Sequence, residues 1–351
     1  MKQKLLYYYP ASTTFVRTDE ELFRKDFLIK SFNFASKRKI FTPWIFFKQL
    51  IFIVQNIWNS DVTVCHFAGY HSFLPALINR LVKKPTIIIL AGTDCVAFPS
   101  IKYGNFTKRL LGRFTKWSLQ LCNHTCPVHT SLVFSNYSYT TSDYPHQGYK
   151  YFCKKGQSRF TEIPYGFDTN SLYSKNEVRL PNSFLTVTQT VRGTSFFRKG
   201  IDLVIECAKL FPAYNFAIVG FDDEMRNQYV PKNVRLVHPL PFHELVNVYN
   251  RYEFYFQLSI CEGFPNALCE SMLCGCIPIG SAVAAIPDII HNSGFILNHK
   301  NIDELFEIIT KATSCNKTEY SLIAQNRIKD NFSLEKRRLS LNNVIKSLVP
   351  D

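Results

Sequence analysis

Two carboxylates, Glu262 and Glu270, flank a turn that follows an apolar run. Between them, Gly263 and Pro265 interrupt regular structure, and Asn266 is predicted to cap a following helix. A helix that begins here directs unpaired N–H groups and its positive dipole end outward, where a phosphate fits. Ionised carboxylates accept hydrogen bonds in pairs, which suits the vicinal hydroxyls of a sugar or a ribose. The spacing alone fits equally well a capped helix with one exposed and one salt-bridged glutamate.

A second group of candidate residues is cationic. Arg198 and Lys199 come directly before Gly200, at the start of a helical pattern over residues 201–210. The helix dipole disfavours a cation at this end, and a bound anion would offset that cost. We therefore favour a phosphate ligand over the alternative, a solvent-exposed helix start.

Short apolar runs alternate with longer helical patterns, which is typical of a parallel sheet wound with helices. Strands are predicted at residues 5–9, 62–67, 86–90 and 124–128, and again at 184–188, 215–219, 234–238, 254–258, 277–280 and 295–298. Helices are predicted at residues 44–58, 72–82, 105–121, 201–210 and 243–251, with a loop at 142–158. The pattern predicts two doubly wound α/β domains, and ligands of such sheets bind at the carboxyl ends of the strands. The cleft between the domains is the predicted site.

The charge of the chain is unevenly distributed. Residues 1–160 contain 22 Lys and Arg against 7 Asp and Glu, a net +15, whereas residues 161–351 contain 19 against 20, a net −1. This asymmetry favours a polyanion or an anionic membrane as neighbour of the first half, with a basic surface kept for solubility as the alternative. Apolar residues make up 46% of the chain, which excludes a disordered protein.

The cysteines and the hydropathy of the chain indicate in which cellular compartment the protein is expected. None of the 11 cysteines has zinc-site spacing, so they are interpreted as buried thiols in a reducing compartment. The N-terminal residues lack a signal-peptide pattern, and no apolar run is long enough to span a membrane. We expect a cytoplasmic protein, peripheral on the inner face of the cell membrane.

The predicted helix at residues 105–121 is the candidate membrane contact. It carries one basic and one apolar stripe, a combination that suits an anionic bilayer surface. The basic stripe is Arg109, Arg113 and Lys116, and the apolar stripe is Phe106, Leu110, Phe114 and Trp117. The cluster Lys37-Arg38-Lys39 adds positive charge, whereas the apolar stretch 44–58 is expected to pack on the sheet. No nucleic-acid-binding module is recognisable, so nucleic acid is not expected as a partner.

The motifs together resemble the retaining glycosyltransferases of family 4, which have the GT-B fold. The resemblance rests on an E-x7-E signature from Glu262 to Glu270, continuing into Cys274-Gly275-Cys276-Ile277-Pro278-Ile279. Residues 163–168 and 197–202 resemble the interdomain segment and a helix start of that family, and residues 332–334 resemble the beginning of its last helix. The implied organisation is an acceptor-binding Rossmann-like domain at 1–165, a donor-binding one at 166–330, and a helix at 331–351 that crosses back to the first.

The resemblance implies a role for each matching residue. Glu262 would hold the transferred hexose, Glu270 the ribose hydroxyls, and Lys199 the diphosphate. The backbone of Gly263, Phe264, Pro265, Asn266 and Ala267 would meet the sugar or diphosphate. The expected arginine after the preceding strand is replaced by Gln189, which leaves Arg192 or Arg198 as substitutes.

The first domain departs from the family at one point. The histidine expected near the transferred sugar is Ala91 here, next to Gly92. Asp94 then has two candidate roles, an acceptor-side carboxylate or a loop cap. No metal is expected, because the cluster Asp222-Asp223-Glu224 is more typical of a solvated loop and GT-B enzymes typically need none.

The implied activity is hexosyl transfer with retention, from a nucleotide-diphosphate sugar to a glycan or lipid-linked acceptor of surface polysaccharide, lipopolysaccharide or glycolipid synthesis. Two alternatives stay open. One is a non-catalytic nucleotide-sugar or glycan-binding protein, and the other is a GT-B-like epimerase, which needs an acid/base pair in the cleft.

Overall fold

The computed structural model describes residues 2–35, 39–154, 158–175, 177–191, 193–221 and 230–349. Two compact units account for the chain. Unit 1 comprises residues 1–136, 143–165 and 334–351, and unit 2 comprises residues 137–142 and 166–333.

Unit 1 is built on a six-stranded sheet with the order β2-β1-β3-β4-β5-β8, in which every pair is parallel. Its strands are β1 (Lys4–Tyr9), β2 (Leu28–Asn33), β3 (Val62–His66), β4 (Thr86–Leu90), β5 (His124–Pro127) and β8 (Arg159–Phe160), with a short antiparallel pair β6 (Ser135–Asn136) and β7 (His146–Gln147). Its helices are α1 (Thr14–Asp26), α2 (Thr42–Asn56), α3 (Tyr70–Leu81), α4 (Arg109–Leu121) and α5 (Tyr149–Phe152). The last helix of the chain, α13 (Leu334–Leu348), belongs to this unit and packs beside α1.

Unit 2 is a second parallel six-stranded sheet with the order β11-β10-β9-β12-β13-β14. Its strands are β9 (Leu180–Val191), β10 (Asn215–Phe221), β11 (Val234–Val237), β12 (Tyr252–Gln257), β13 (Ile277–Ser281) and β14 (Phe295–Leu297). Its helices are α6 (Thr194–Arg198), α7 (Ile201–Leu210), α8 (Phe242–Arg251), α9 (Asn266–Leu273), α10 (Ile286–Ile290), α11 (Ile302–Thr313) and α12 (Lys317–Asn331). The sheet is centred on Phe184, whose ring stacks on those of Phe216 and Phe254 in register on the neighbouring strands.

The orientation of α2 bears out one prediction only in part. Its apolar stretch was expected to pack on the sheet, and the ring of Phe52 contacts those of Tyr8 on β1 and Phe32 on β2, with centroids 5.8 and 5.3 Å away. The buried residues of the helix are Gln49, Ile53 and Asn56, and Gln49 donates from Nε2 to the carbonyl oxygen of His71 at 2.6 Å. The other side of the helix, which includes Trp44 and Phe47, is exposed. The predicted loop at residues 142–158 also contains regular structure, namely β7 and α5.

Candidate functional site

The carboxyl ends of β9 and β12 lie where the strand order of unit 2 reverses. In chain order the sheet runs 3-2-1-4-5-6, and ligands of such sheets bind at this switch point. The segment after β9 carries Arg198 and Lys199, and the segment after β12 carries Glu262. The topology of one sheet therefore brings the two groups of candidate residues together.

Lys199 and Glu262 form an ion pair at this switch point. Lys199 Nζ lies 2.5 Å from Glu262 Oε1, with 21% of the lysine side chain and 10% of the glutamate side chain exposed. The same oxygen accepts hydrogen bonds from Ser259 Oγ at 2.8 Å and Gln257 Nε2 at 3.2 Å. Sequence reasoning missed both Gln257, which is the last residue of β12, and Ser259, which follows it in the segment before Glu262.

The ion pair holds Glu262 in its charged form. Burial by itself raises the pKa of Glu262, but the charges of Lys199 and Arg198 and the hydrogen bonds outweigh burial. The pKa of Glu262 is consequently lowered from its ordinary value. Glu262 is therefore an ionised acceptor at neutral pH.

Close backbone packing positions Lys199. The next residue, Gly200, has φ +70°, and a Cβ at this position would lie 2.1 Å from the carbonyl oxygen of Leu258. Only glycine fits such an approach. The N–H of Ile260 donates to the carbonyl oxygen of Arg198 at 2.8 Å. The segment after β12 is thus fixed against the segment after β9, and a larger residue at 200 would separate Lys199 from Glu262.

The resemblance expects a second cation beside Lys199, and Gln189, Arg192 and Arg198 are the residues to consider. Arg198 is half-buried, and its charge lowers the pKa of Glu262. Gln189, at the position where the resemblance expects an arginine, is exposed near the end of β9. Arg192 lies outside the described residues, so Arg198 is the substitute that the structure places near the carboxylate.

The segment from Gly263 to Ala267 contains the turn before α9 and the first two residues of that helix. Phe264 anchors it, because its buried ring packs on Phe167 and Phe332 with centroids 6.4 and 5.3 Å away. Pro265, in an extended conformation, occupies the cap position, and Asn266 is the first helical residue. The prediction that Asn266 caps the helix is therefore wrong. Its side-chain oxygen Oδ1 is buried and accepts no hydrogen bond from the described part of the chain.

Glu270 lies one turn into α9 and differs in its electrostatics from Glu262. Burial raises the pKa of Glu270 to about 7, against a hydrogen bond from Tyr249 that lowers it. Tyr249 Oη donates to Glu270 Oε2 at 3.0 Å from the buried face of α8. Sequence reasoning gave Tyr249 no function. Glu262 and Glu270, which flank this turn, thus have pKa values displaced in opposite directions.

Gly92 and Asp94 lie in unit 1, in the loop after β4. The carboxylate of Asp94 is buried and accepts the backbone N–H groups of Ala68, Ala91 and Gly92 at 2.9, 3.2 and 3.0 Å. Burial raises the pKa of Asp94 to about 6, and the N–H groups act in the opposite direction. These contacts are those of a loop cap, the second of its two candidate roles. They also fix the position of Gly92.

The described residues offer neither a metal cluster nor a membrane-spanning helix. Among them, no group of three or more His, Cys, Asp or Glu side chains is placed to hold a metal ion. The acidic cluster at residues 222–224 falls outside these residues. Across the ranges that the structure covers, no helix has the length and hydropathy to cross a bilayer.

Comparison with known sequences matches part of the chain to a protein family. Residues 191–329 match the family model of the glycosyl transferases group 1, and this range contains Lys199, Glu262 and Glu270. One subunit of phosphatidylinositol N-acetylglucosaminyltransferase from Arabidopsis thaliana is 25% identical over 183 residues, which is 49% of this chain. The match spans 40% of the length of that relative.

Solved structures resemble the whole chain. Sucrose-phosphate synthase from Thermosynechococcus elongatus has a TM-score of 0.73 at 13% identity and is covered over 99% of both chains. Anabaena HepE in complex with UDP and glucose has a TM-score of 0.67 at 12% identity, over 99% of this chain and 100% of that one. With two Rossmann-like units in the chain, these likenesses show the GT-B fold, which confirms the predicted fold class.

Proposed function

We propose that the chain is a retaining glycosyltransferase that moves a hexosyl group from a nucleotide-diphosphate sugar to a lipid-linked glycan or glycolipid acceptor. The carrying observation is the Lys199–Glu262 ion pair at the switch point of unit 2, with Glu270 on the helix that follows. The match of residues 191–329 to the glycosyl transferases group 1 supports the reaction class.

Each charged group has a task in this proposal. Lys199, assisted by Arg198, neutralises the negative charge that builds on the departing diphosphate, and such preorganised charge is often the largest single contribution to catalysis. Glu262 is ionised and accepts hydrogen bonds from the hydroxyls of the hexose. Glu270 accepts those of the ribose. The N–H groups at the start of α9 face the sugar or the diphosphate.

The acceptor is proposed from separate observations. The name of the Arabidopsis relative specifies a phosphatidylinositol acceptor, and the first half of this chain carries a net charge of +15. A basic surface attracts an acceptor whose phosphate lies in a membrane. We place the protein at the cytoplasmic face of the cell membrane on these grounds.

Transfer assays with paired variants test the proposal. The protein is incubated with a panel of nucleotide sugars and lipid acceptors, products are identified by mass spectrometry, and the anomeric configuration of a product is determined by NMR. Lys199→Ala and Glu262→Gln should lower transfer about 100- to 1,000-fold, the usual effect of removing one charge-stabilising group. Lys317→Ala is the matched control, because Lys317 forms a comparable ion pair with Glu253 in the same unit at 2.8 Å.

The outcomes separate the alternatives. Donor binding without transfer or slow hydrolysis would indicate a non-catalytic binding protein. Interconversion of nucleotide sugars without an acceptor would indicate an epimerase. Full transfer by both Lys199→Ala and Glu262→Gln would show that the site is assigned wrongly, and an inverted product would overturn retention.

A further inference from the structure

The outward side of α2 is apolar and exposed. Five large apolar residues recur every three or four positions, which places them on one side of the helix and the short 3-10 turn that follows. They are Trp44, Phe47, Ile51, Val54 and Trp58, and all are exposed. The opposite side buries Gln49, Ile53 and Asn56 and packs Phe52 on the rings of Tyr8 and Phe32. A helix that packs one side on its own unit and exposes tryptophans on the other is suited to a second apolar environment outside the unit.

Aromatic contacts continue this face onto α4. The ring of Phe46 contacts that of Phe114 at 6.0 Å, and Phe114 contacts Trp117 at 5.3 Å. Trp117 and Leu110 on α4 are exposed as well. We call the exposed apolar residues of α2 and Trp58 of the 3-10 turn, together with Leu110 and Trp117, the aromatic face. It contains all three tryptophans of the chain, which are 54%, 72% and 43% exposed in chain order.

The charges around the aromatic face have one sign. No Asp or Glu occurs between Phe27 and Ser60 or between Cys95 and Ser142, the two segments that form it. Five cationic side chains on these helices and their borders are exposed: Lys48, Lys108, Arg109, Arg113 and Lys116. Lys48 also lies over the ring of Trp44, 5.5 Å from its centroid. Two such faces would repel each other, so the charge favours an anionic occupant over a second copy of the chain.

We infer that the aromatic face docks on an anionic lipid bilayer. α2 inserts its apolar side among the lipid headgroups and the first acyl carbons, and the cations of α4 contact lipid phosphates. Tryptophan is enriched at this depth because its ring is apolar and its N–H is polar. The assignment makes α2 the inserting element, whereas the sequence placed the membrane contact on α4. It rests on unit 1 alone and does not depend on the proposed donor chemistry.

Because all three tryptophans lie on the aromatic face, the intrinsic tryptophan fluorescence of the unlabelled protein reports on membrane binding. The emission of the full chain is recorded with vesicles of phosphatidylcholine alone and of phosphatidylcholine with phosphatidylglycerol, at low and at high salt, without nucleotide sugar. We expect a blue shift and co-flotation with the anionic vesicles at low salt, weakened by salt. Unchanged emission and no flotation with anionic vesicles would overturn the inference.

Matched variants identify the surface. Phe47→Ser/Ile51→Ser/Val54→Ser keeps every tryptophan and should reduce vesicle partitioning about a hundredfold or more. The control Phe306→Ser/Leu322→Ser removes exposed apolar residues of unit 2 and should not change partitioning. Arg109→Gln/Arg113→Gln/Lys116→Gln should weaken partitioning about a hundredfold, at about fivefold per cation. The control for this charge variant is Lys209→Gln/Lys311→Gln/Lys329→Gln, which removes three exposed lysines of unit 2 and should not change partitioning.

Two further results would contradict the inference. One is equal partitioning of both surface variants and the original protein. The other is a blue shift of the emission that increases with protein concentration in the absence of vesicles. In that case sedimentation velocity would show dimers, and the Phe47→Ser/Ile51→Ser/Val54→Ser variant would not form them. That result would assign the aromatic face to a second copy of the chain. Circular dichroism and thermal melting confirm that each variant is folded.

Discussion

Both units contain a buried ionic cluster, but the two clusters differ in how completely their atoms are paired. In unit 1, Arg337 donates to both carboxylate oxygens of Asp19, at 2.5 and 2.6 Å, and from Nη1 to the carbonyl oxygens of Ile163 and Pro164. In unit 2, the donors to Glu262 converge on Oε1, and its Oε2 accepts no hydrogen bond from the described residues.

This difference separates a structural cluster from one that can bind. A buried charge needs its hydrogen-bonding capacity satisfied, and the cluster around Arg337 meets that requirement within unit 1. His66 completes it, with Nδ1 2.9 Å from Tyr7 Oη and Nε2 3.1 Å from Tyr165 Oη. Burial lowers the pKa of His66 to about 3, so the ring is neutral. Glu262 and Lys199 are paired with each other, yet keep hydrogen-bonding capacity for a ligand.

Replacing Arg337 should have the largest effect on stability. Arg337→Met leaves Asp19 buried without its partner, which costs about 3–5 kcal/mol of unfolding free energy. Urea denaturation measures this cost, and transfer by the remaining folded molecules should keep its KM for the donor. The contrasting variant is Lys199→Met, which should lose transfer and cost less stability than Arg337→Met, because Ser259 and Gln257 still donate to Glu262. Equal stability losses in the two variants would abolish the distinction between the clusters.

The sequence allowed the apolar strands to be predicted, because β1, β4 and β10 are each a nearly unbroken apolar run. It missed β2, an edge strand whose residues are half-exposed and partly polar. The pairing of Asp19 with Arg337 joins residues 318 positions apart, and no local pattern encodes it.

The candidate site was predictable to a similar degree. Glu262, Glu270 and Lys199 could be selected from spacing and resemblance, since they lie in short motifs. Their partners Gln257 and Tyr249 could not, because a strand end and a neighbouring helix bring them in only after folding. The exposed apolar face of α2 was missed because an apolar helix is expected to pack inward.

Replacing Glu270 should move stability and binding in opposite directions. The folded-state pKa of Glu270 is about 7, above the ordinary value of 4.5, so the folded protein holds an extra proton between these values. The stability that this proton provides is present below pH 4.5 and lost as pH rises to about 7. At pH 8, Glu270→Gln should therefore raise the unfolding free energy by about 1–3 kcal/mol. The gain should diminish towards pH 5.

The same substitution should weaken donor binding about ten- to a hundredfold, since hydrogen bonds from the ribose to a charged carboxylate are lost. Calorimetric titration with the nucleotide diphosphate measures this, and binding to the original protein should strengthen as pH rises from 6 to 8. Glu319→Gln, an exposed capping position on α12, serves as the control. A stabilised variant that binds the donor normally would remove Glu270 from the site.

Chelation of divalent metals should have the smallest effect, because we expect it to leave the rate of transfer unchanged. Lys199 and Arg198 place two positive charges beside Glu262, so the charge that a metal ion would otherwise supply to a departing diphosphate is already present in the chain. Transfer in EDTA should equal transfer in magnesium, and manganese should not rescue Lys199→Ala. Activity that is lost in EDTA and restored by magnesium would show that the Lys199 cluster is insufficient without a metal. The unpaired hydrogen-bonding groups of Glu262 and Lys199 would then only position the donor. The metal ion, which the fully paired Arg337 cluster has no need of, would supply the missing positive charge.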